Sequence, residues 1–408
     1  MTTTAPETET AANSLIYSLD DQSDLNSYIQ GWSNFSRNKT FSEQVTPGPS
    51  YLHQMEQQME YQLSVSLIQW VFPFLILLGT VGNGLSLTIM LQREMRQTST
   101  CFYLAVLAIA DTTVLYISAF KTWLRTVSGF ELLHVSQASC KITMFLAYFS
   151  THFSAWIIVA VTVERFLAVW FPLKAGTMCS VSRAKFGTMV IAGLVLLINC
   201  QILWTAELKT APSSSLSETK LMCVPYKDYA EFVCELLAWM NLILYSFLPF
   251  GFLLLFNILI IVNLLKHRQV LTSTMTKDDQ QMRSSHRKLA ITLLSVSFAW
   301  IVTTMPSTLF LVFKPRPESV THAAQQQLVR VICYSLLYVN HAINFCLYCI
   351  TGNRFRHELN RLLCRKPTTS PRATLTFKNS GSGQDSSGYP LMENVYMNAM
   401  SSEQSNSN

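Results

Sequence analysis

Seven apolar runs, each long enough to cross a bilayer, constrain this chain more than any other feature. A hydrocarbon core about 30 Å thick takes about 20 residues of helix. Six runs contain no Asp, Glu, Lys or Arg: 61–92, 142–163, 186–206, 236–265, 289–313 and 331–353. The other, 97–120, contains a single acid, Asp111. A soluble domain can bury one such helix but not seven. Residues 61–353 therefore predict an all-α membrane protein, a seven-transmembrane helix bundle. Composition agrees, because 13% of the residues are charged where soluble domains carry about 25%.

Seven spans place the two ends of the bundle on opposite sides. The segments 93–96, 164–185, 266–288 and 354–366 carry 17 Lys or Arg, against nine in 121–141, 207–235 and 314–330. Basic excess in short loops marks the cytoplasmic face, so the N-terminus is expected outside and the chain is read as a multi-pass plasma membrane protein. The net charge of +6 then speaks for lipid head groups and a cytosolic partner, not for nucleic acid.

Residues 1–60 hold eight acids and two bases, few apolar residues, and no signal-peptide pattern. They read as a disordered extracellular tail, with N-glycosylation triplets at Asn34 and Asn38. Residues 354–366 place Phe355, Leu359, Leu362 and Leu363 at helical spacing among basic residues. That pattern predicts a short amphipathic helix on the inner leaflet. Cys364 beside it is a palmitoylation candidate, the alternative being a free thiol. Residues 367–408 are Ser, Thr, Gly and Asn-rich and read as a disordered cytoplasmic tail.

Among the ten cysteines, Cys140 and Cys223 both fall in outward segments, where disulfides form. A bridge between them closes a loop of roughly 80 residues, for which the chain-entropy estimate is about 4–5 kcal/mol. Cys234 competes for either partner. Asp111 costs on the order of 2.5–3.5 kcal/mol to insert unpaired. Asn83, Ser154, Asn340 and Asn344 lie at comparable depths on other spans. One carboxylate among neutral oxygens suits a small hard cation such as Na⁺, and suits equally a polar cluster that joins helices. No other cofactor or structural metal site is expected.

The ordered set Gly82-Asn83, Leu104-Ala105, Ile109-Ala110-Asp111, Cys140, Glu164-Arg165-Phe166, Pro172, Pro249, Pro306 and Asn344-xxx-Tyr348 resembles the rhodopsin-like (class A) G-protein-coupled receptors. It covers about residues 60–366, with the motifs in order along the chain. The resemblance implies a receptor that activates heterotrimeric G proteins and is not an enzyme. It implies that Arg165, held by Glu164, is released when span six swings out. Pro249 and Pro306 would be hinges, and Tyr348 would swing inward. Arg283, Arg287 and Lys288 would face the G protein together with Arg165.

The sequence departs from that pattern at several positions. Phe345 replaces a usual Pro, and Thr304 a usual Trp, with Trp300 almost two turns before Pro306. Span four has no mid-helix Trp, His286 stands where an acid is common, and Asn257 where Tyr is common. The run Asn340-His341-Ala342-Ile343-Asn344-Phe345-Cys346-Leu347-Tyr348 resembles invertebrate neuropeptide receptors of the FMRFamide-receptor-like and sex-peptide-receptor-like groups, with thyrotropin-releasing-hormone-like receptors as neighbours.

Amine receptors resemble one another in an Asp that is Ala147 here, and opsins need a Lys that span seven lacks. The outer ends instead offer Lys121, Trp123, Arg125, Tyr148, His152, Glu231, Glu235, Arg330, Tyr334 and Tyr338. A wide, mixed-charge, aromatic mouth suits a peptide, and each residue also has a reading as a rim charge or interfacial aromatic. The competing readings are a receptor for a non-peptide small molecule and a seven-helix transporter, although no internal repeat supports the transporter. Thr368, Thr369, Ser370, Ser386 and Ser387 are candidate sites for a receptor kinase, whose phosphates an arrestin would read.

Overall fold

The computed structural model describes residues 49–172, 174–211, 220–226, 229, 239, 242–270, 294–310, 317 and 319–363. After a short helix at Pro49–Glu56, the spans are α1 Met59–Met90, α2 Ser99–Ser128, α3 Gln137–Trp170, α4 Val181–Asn199, α5 Leu242–Val270, α6 Leu294–Phe310 and α7 Val320–Thr351. Six of them are long and apolar enough to cross a membrane, α4 counted with its extension to Thr205, and α6 is a shorter apolar helix. A last helix, α8 Asn353–Leu363, follows α7 after Gly352. A Cβ at Gly352 would meet the Tyr348 carbonyl oxygen at 2.7 Å, so the corner needs glycine.

The helices outrun the apolar stretches that identify them. α3 begins at Gln137 and α7 at Val320, five and eleven residues before runs 142–163 and 331–353. Polar side chains end an apolar run without ending a helix: Ser136 and Ser319 accept from the backbone N–H groups of Ser139 and His322 and satisfy first-turn donors. α4 stops at Asn199, short of 206, and continues as a separate turn Ile202–Thr205.

Two wide turns interrupt the regular helices. Leu242–Phe247 precedes Pro249, which lacks the N–H that a regular turn would donate back to Tyr245. Leu115–Phe120 follows Thr112 and Thr113, whose hydroxyls bond the carbonyls four residues back and loosen the turn.

α3 is the central rod and packs on α2, α4 and α5, while α1 pairs with α7. The α1–α7 contact is close because Gly79 and Gly82 present no side chain to Ala342 and Phe345. Phe345 uses its position to pack on Gly82 and, ring to ring at 5.7 Å, on Phe355 of α8. Its N–H also keeps α7 continuous where a proline would interrupt it.

The connection after α4 holds an antiparallel hairpin where the sequence predicts only a loop: β1 Ala206–Ala211 pairs with β2 Lys220–Pro225.

Candidate functional site

The helices gather polar side chains in three layers along α3. At its first turn, Cys140 bonds Cys223 of β2, with Cα atoms 5.6 Å apart. Gln137 adds a second strap, accepting from the Leu208 N–H at 2.6 Å and donating to the Ala206 carbonyl at 3.4 Å. The hairpin is therefore fixed to the end of α3 by a covalent bond and one amide.

In the middle layer, Asp111 of α2 is fully buried and takes three donors. Oδ1 accepts from Ser154 Oγ of α3 at 2.6 Å and from His341 Nδ1 of α7 at 2.7 Å. Oδ2 accepts from Asn344 Nδ2 of α7 at 2.7 Å. Asn83 does not reach the carboxylate; its amide donates to the His341 carbonyl at 3.0 Å and so ties α1 to α7. Asn340 is buried nearby in sequence, and among the described residues its Nδ2 has no partner. Two of the four expected neighbours of Asp111 thus bond it, and the third donor is His341.

At the last turns of α3, Glu164 and Arg165 are buried and paired at 2.5 Å. Thr100 of α2 completes the lock: its hydroxyl donates to Glu164 at 2.7 Å, and Arg165 reaches the same hydroxyl. Phe166 packs on Phe256 of α5, ring centres 5.1 Å apart. Tyr348 is buried and edge-on to Phe355. Trp300 is buried against Tyr245 of α5. α6 runs through Pro306, with Thr303 and Thr304 hydroxyls bonded to carbonyls one turn back. Pro249 lies just after the wide turn of α5. Hydroxyl pairs join α3 to α6 (Thr162–Ser297, 3.1 Å) and α5 to α6 (Ser246–Thr308, 2.9 Å).

Several residues expected to line an open mouth are instead engaged with the protein. Arg125 pairs with Glu131 at 3.0 Å and both are largely buried. Lys121 is buried in α2. Trp123 turns to α1 and donates to the Gln69 carbonyl. His152 meets Asn199 of α4 at 3.0 Å, and Tyr148 is buried edge-on to His152. Tyr338 packs edge-on to Phe72 and beside Tyr334, while Arg330 donates to Gln327 one turn earlier. Helical side chains between packed spans find protein partners before water. Spacing along a sequence does not show which face of a span looks into a cavity.

The sequence profile described as "7 transmembrane receptor (rhodopsin family)" matches residues 82–348. The chain belongs to that family. This receptor is 26% identical over 304 residues to somatostatin receptor type 4 of Rattus norvegicus, covering 73% of its own chain and 72% of the relative. It is 24% identical to growth hormone secretagogue receptor type 1 of Sus scrofa, over 76% of its own chain and 83% of the relative. Over 116 residues, 26% of its chain and 27% of the relative, it is 33% identical to the thyrotropin-releasing hormone receptor of Gallus gallus. Membership makes it a multi-pass plasma membrane receptor, not an enzyme, with an extracellular ligand and a G protein as partners.

His341, Thr100 and Gln137 were not picked out as site residues. His341 carried a usable signal: 341, 344 and 348 fall on one face of a helix, so the residue shares its face with Asn344 and Tyr348. Thr100 and Gln137 carried none, being ordinary polar residues near helix starts. Asn34, Asn38, Glu231, Glu235, Arg283, Arg287, Lys288, Cys364, Thr368, Thr369, Ser370, Ser386 and Ser387 lie outside the described residues.

Proposed function

We propose that this receptor binds an extracellular peptide of the neuropeptide type at the Cys140 end of the bundle, its N-terminus outside, and activates a heterotrimeric G protein at the Arg165 end. The observation that carries the reading is the chemistry of the layer around the Cys140 end. α3 presents Ala147 where an amine receptor has an acid, and α7 has no lysine for a Schiff base. Instead Lys121, Arg125, Tyr148, Tyr334 and Tyr338 supply positive charge and phenol rings, and a peptide would have to take over the protein contacts that hold them here. A peptide brings matching carboxyl and aromatic groups, and burying them there repays their desolvation. The names of the relatives point the same way, because they include receptors for somatostatin and thyrotropin-releasing hormone.

Activation on this reading breaks the Glu164–Arg165–Thr100 lock, and Arg165, Arg283, Arg287 and Lys288 meet the G protein. Phosphorylation of the tail by a receptor kinase and arrestin recruitment follow, with truncation after Lys366 expected to abolish recruitment. Cells expressing the receptor are screened with amidated peptides, reading calcium and cAMP. A peptide that raises either signal, and loses potency at least tenfold on Lys121→Ala, supports the reading. Activation by small molecules alone refutes the peptide. Substrate flux without nucleotide exchange refutes the receptor mechanism.

A further inference from the structure

A carboxylate buried in mid-membrane invites a cation, and Asp111 was read above as a candidate sodium site. The residues around it do not fit one. A hard cation is held by oxygen lone pairs. Here both Asp111 oxygens receive donors, from Ser154, His341 and Asn344. The carbonyl of His341 itself accepts from Asn83. The imidazole stands against the carboxylate at 2.7 Å, with both side chains 1% exposed. Against an ionised carboxylate, which only accepts, Nδ1 presents its hydrogen and offers no lone pair to a metal.

We propose that His341 fills the cation's place at Asp111 and closes this layer to sodium. The bond then couples α2 to α7 through a residue of the chain itself, so the coupling does not rise and fall with the salt outside the cell. A donor on α7 also makes the tie directional: it breaks only if α7 moves relative to α2. Asn83 reinforces the arrangement by holding the backbone of the same residue from α1. Among the described residues, Asn83 Oδ1 is buried without a partner, an oxygen that a smaller residue at 341 would open to an ion.

The full receptor, purified in detergent, is melted in rising NaCl and in choline chloride at matched ionic strength. The wild type is expected to show the same midpoint in both salts. His341→Ser, which removes the ring and leaves an oxygen, is expected to gain a midpoint shift specific to NaCl that rises with concentration. His341→Asn serves if the serine variant does not fold. A sodium-specific shift in the wild type overturns the proposal, as does a folded variant that stays indifferent to sodium. ²³Na relaxation of the wild type needs no variant at 341: excess broadening that Asp111→Asn removes overturns it, and its absence supports it. Neither measurement involves a ligand or a G protein, so failure here is distinguishable from failure of the peptide reading.

Discussion

The two ends of α3 are held in opposite ways. At the Cys140 end, a disulfide and the Gln137 amide fix the helix to a hairpin. At the Arg165 end, one acid and one threonine hold a guanidinium by hydrogen bonds alone. A covalent strap has one arrangement, whereas a charge-assisted lock of three groups can open and reform. A rod anchored at one end and latched at the other fits the proposed activation, in which a small shift at the outer end opens the latch.

The largest test removes the anchor. Cys140→Ser frees a loop whose closure is worth about 4–5 kcal/mol in the chain-entropy estimate. It is expected to abolish surface delivery, measured by labelling intact cells; normal delivery would break the contrast. Next comes the latch. Thr100→Val removes a hydroxyl hydrogen-bonded to charged groups, about 1.5–3 kcal/mol, and is expected to raise ligand-independent nucleotide exchange. Exchange at or below the wild-type rate would show that the Thr100 contact does not restrain Arg165. Gln137→Ala removes the lesser strap, about 0.5–1.5 kcal/mol. It is expected to lower the thermal midpoint modestly with exchange unchanged, and a rise in exchange would mean both ends act as latches.

The smallest effect concerns the tie between α8 and the turn after α1. Arg361 donates to Glu94 at 2.8 Å. That hydrogen bond, and then the charge of Arg361, hold the Glu94 carboxyl below the usual carboxylate range. A lowered carboxyl stabilises the tie above its unfolded value and loses it as pH falls through the lowered one. Glu94→Gln is therefore expected to loosen a nitroxide placed at Leu363 slightly at neutral pH. The difference from wild type should vanish in acid. Both groups are well exposed, so a large change at neutral pH would contradict the ranking.

Legibility followed the same division along the chain. Each span announced itself because a residue facing lipid must be apolar, and position and compartment made Cys140 and Cys223 candidates for a bridge with Cys234 still open. Helix ends were misjudged wherever polar residues continue a helix, as at Gln137–Lys141 and from Val320 to Arg330. Of the two strands, Lys220–Pro225 lacks the alternation that marks a half-buried strand, and Ala206–Ala211 keeps it only over its first four residues. The partners of Asp111 were partly legible: Ser154 and Asn344 follow from depth and His341 shares the Asn344 face of α7, whereas the turn of Asn83 away from the carboxylate depends on how α1 rotates about its axis.

The sequence by itself determined that seven apolar segments fold as helices in a membrane, and which ionisable groups must find partners inside it. Hydrocarbon leaves the backbone no other way to satisfy its hydrogen bonds, so that much is local physics. Only the tertiary structure decided the pairings: His341 on Asp111, Thr100 on Arg165, Arg125 on Glu131 and Trp123 on α1. Those depend on the rotation and closeness of neighbouring helices, which Gly79 and Gly82 and the wide turns of α2 and α5 set. A one-dimensional pattern records none of these rotations.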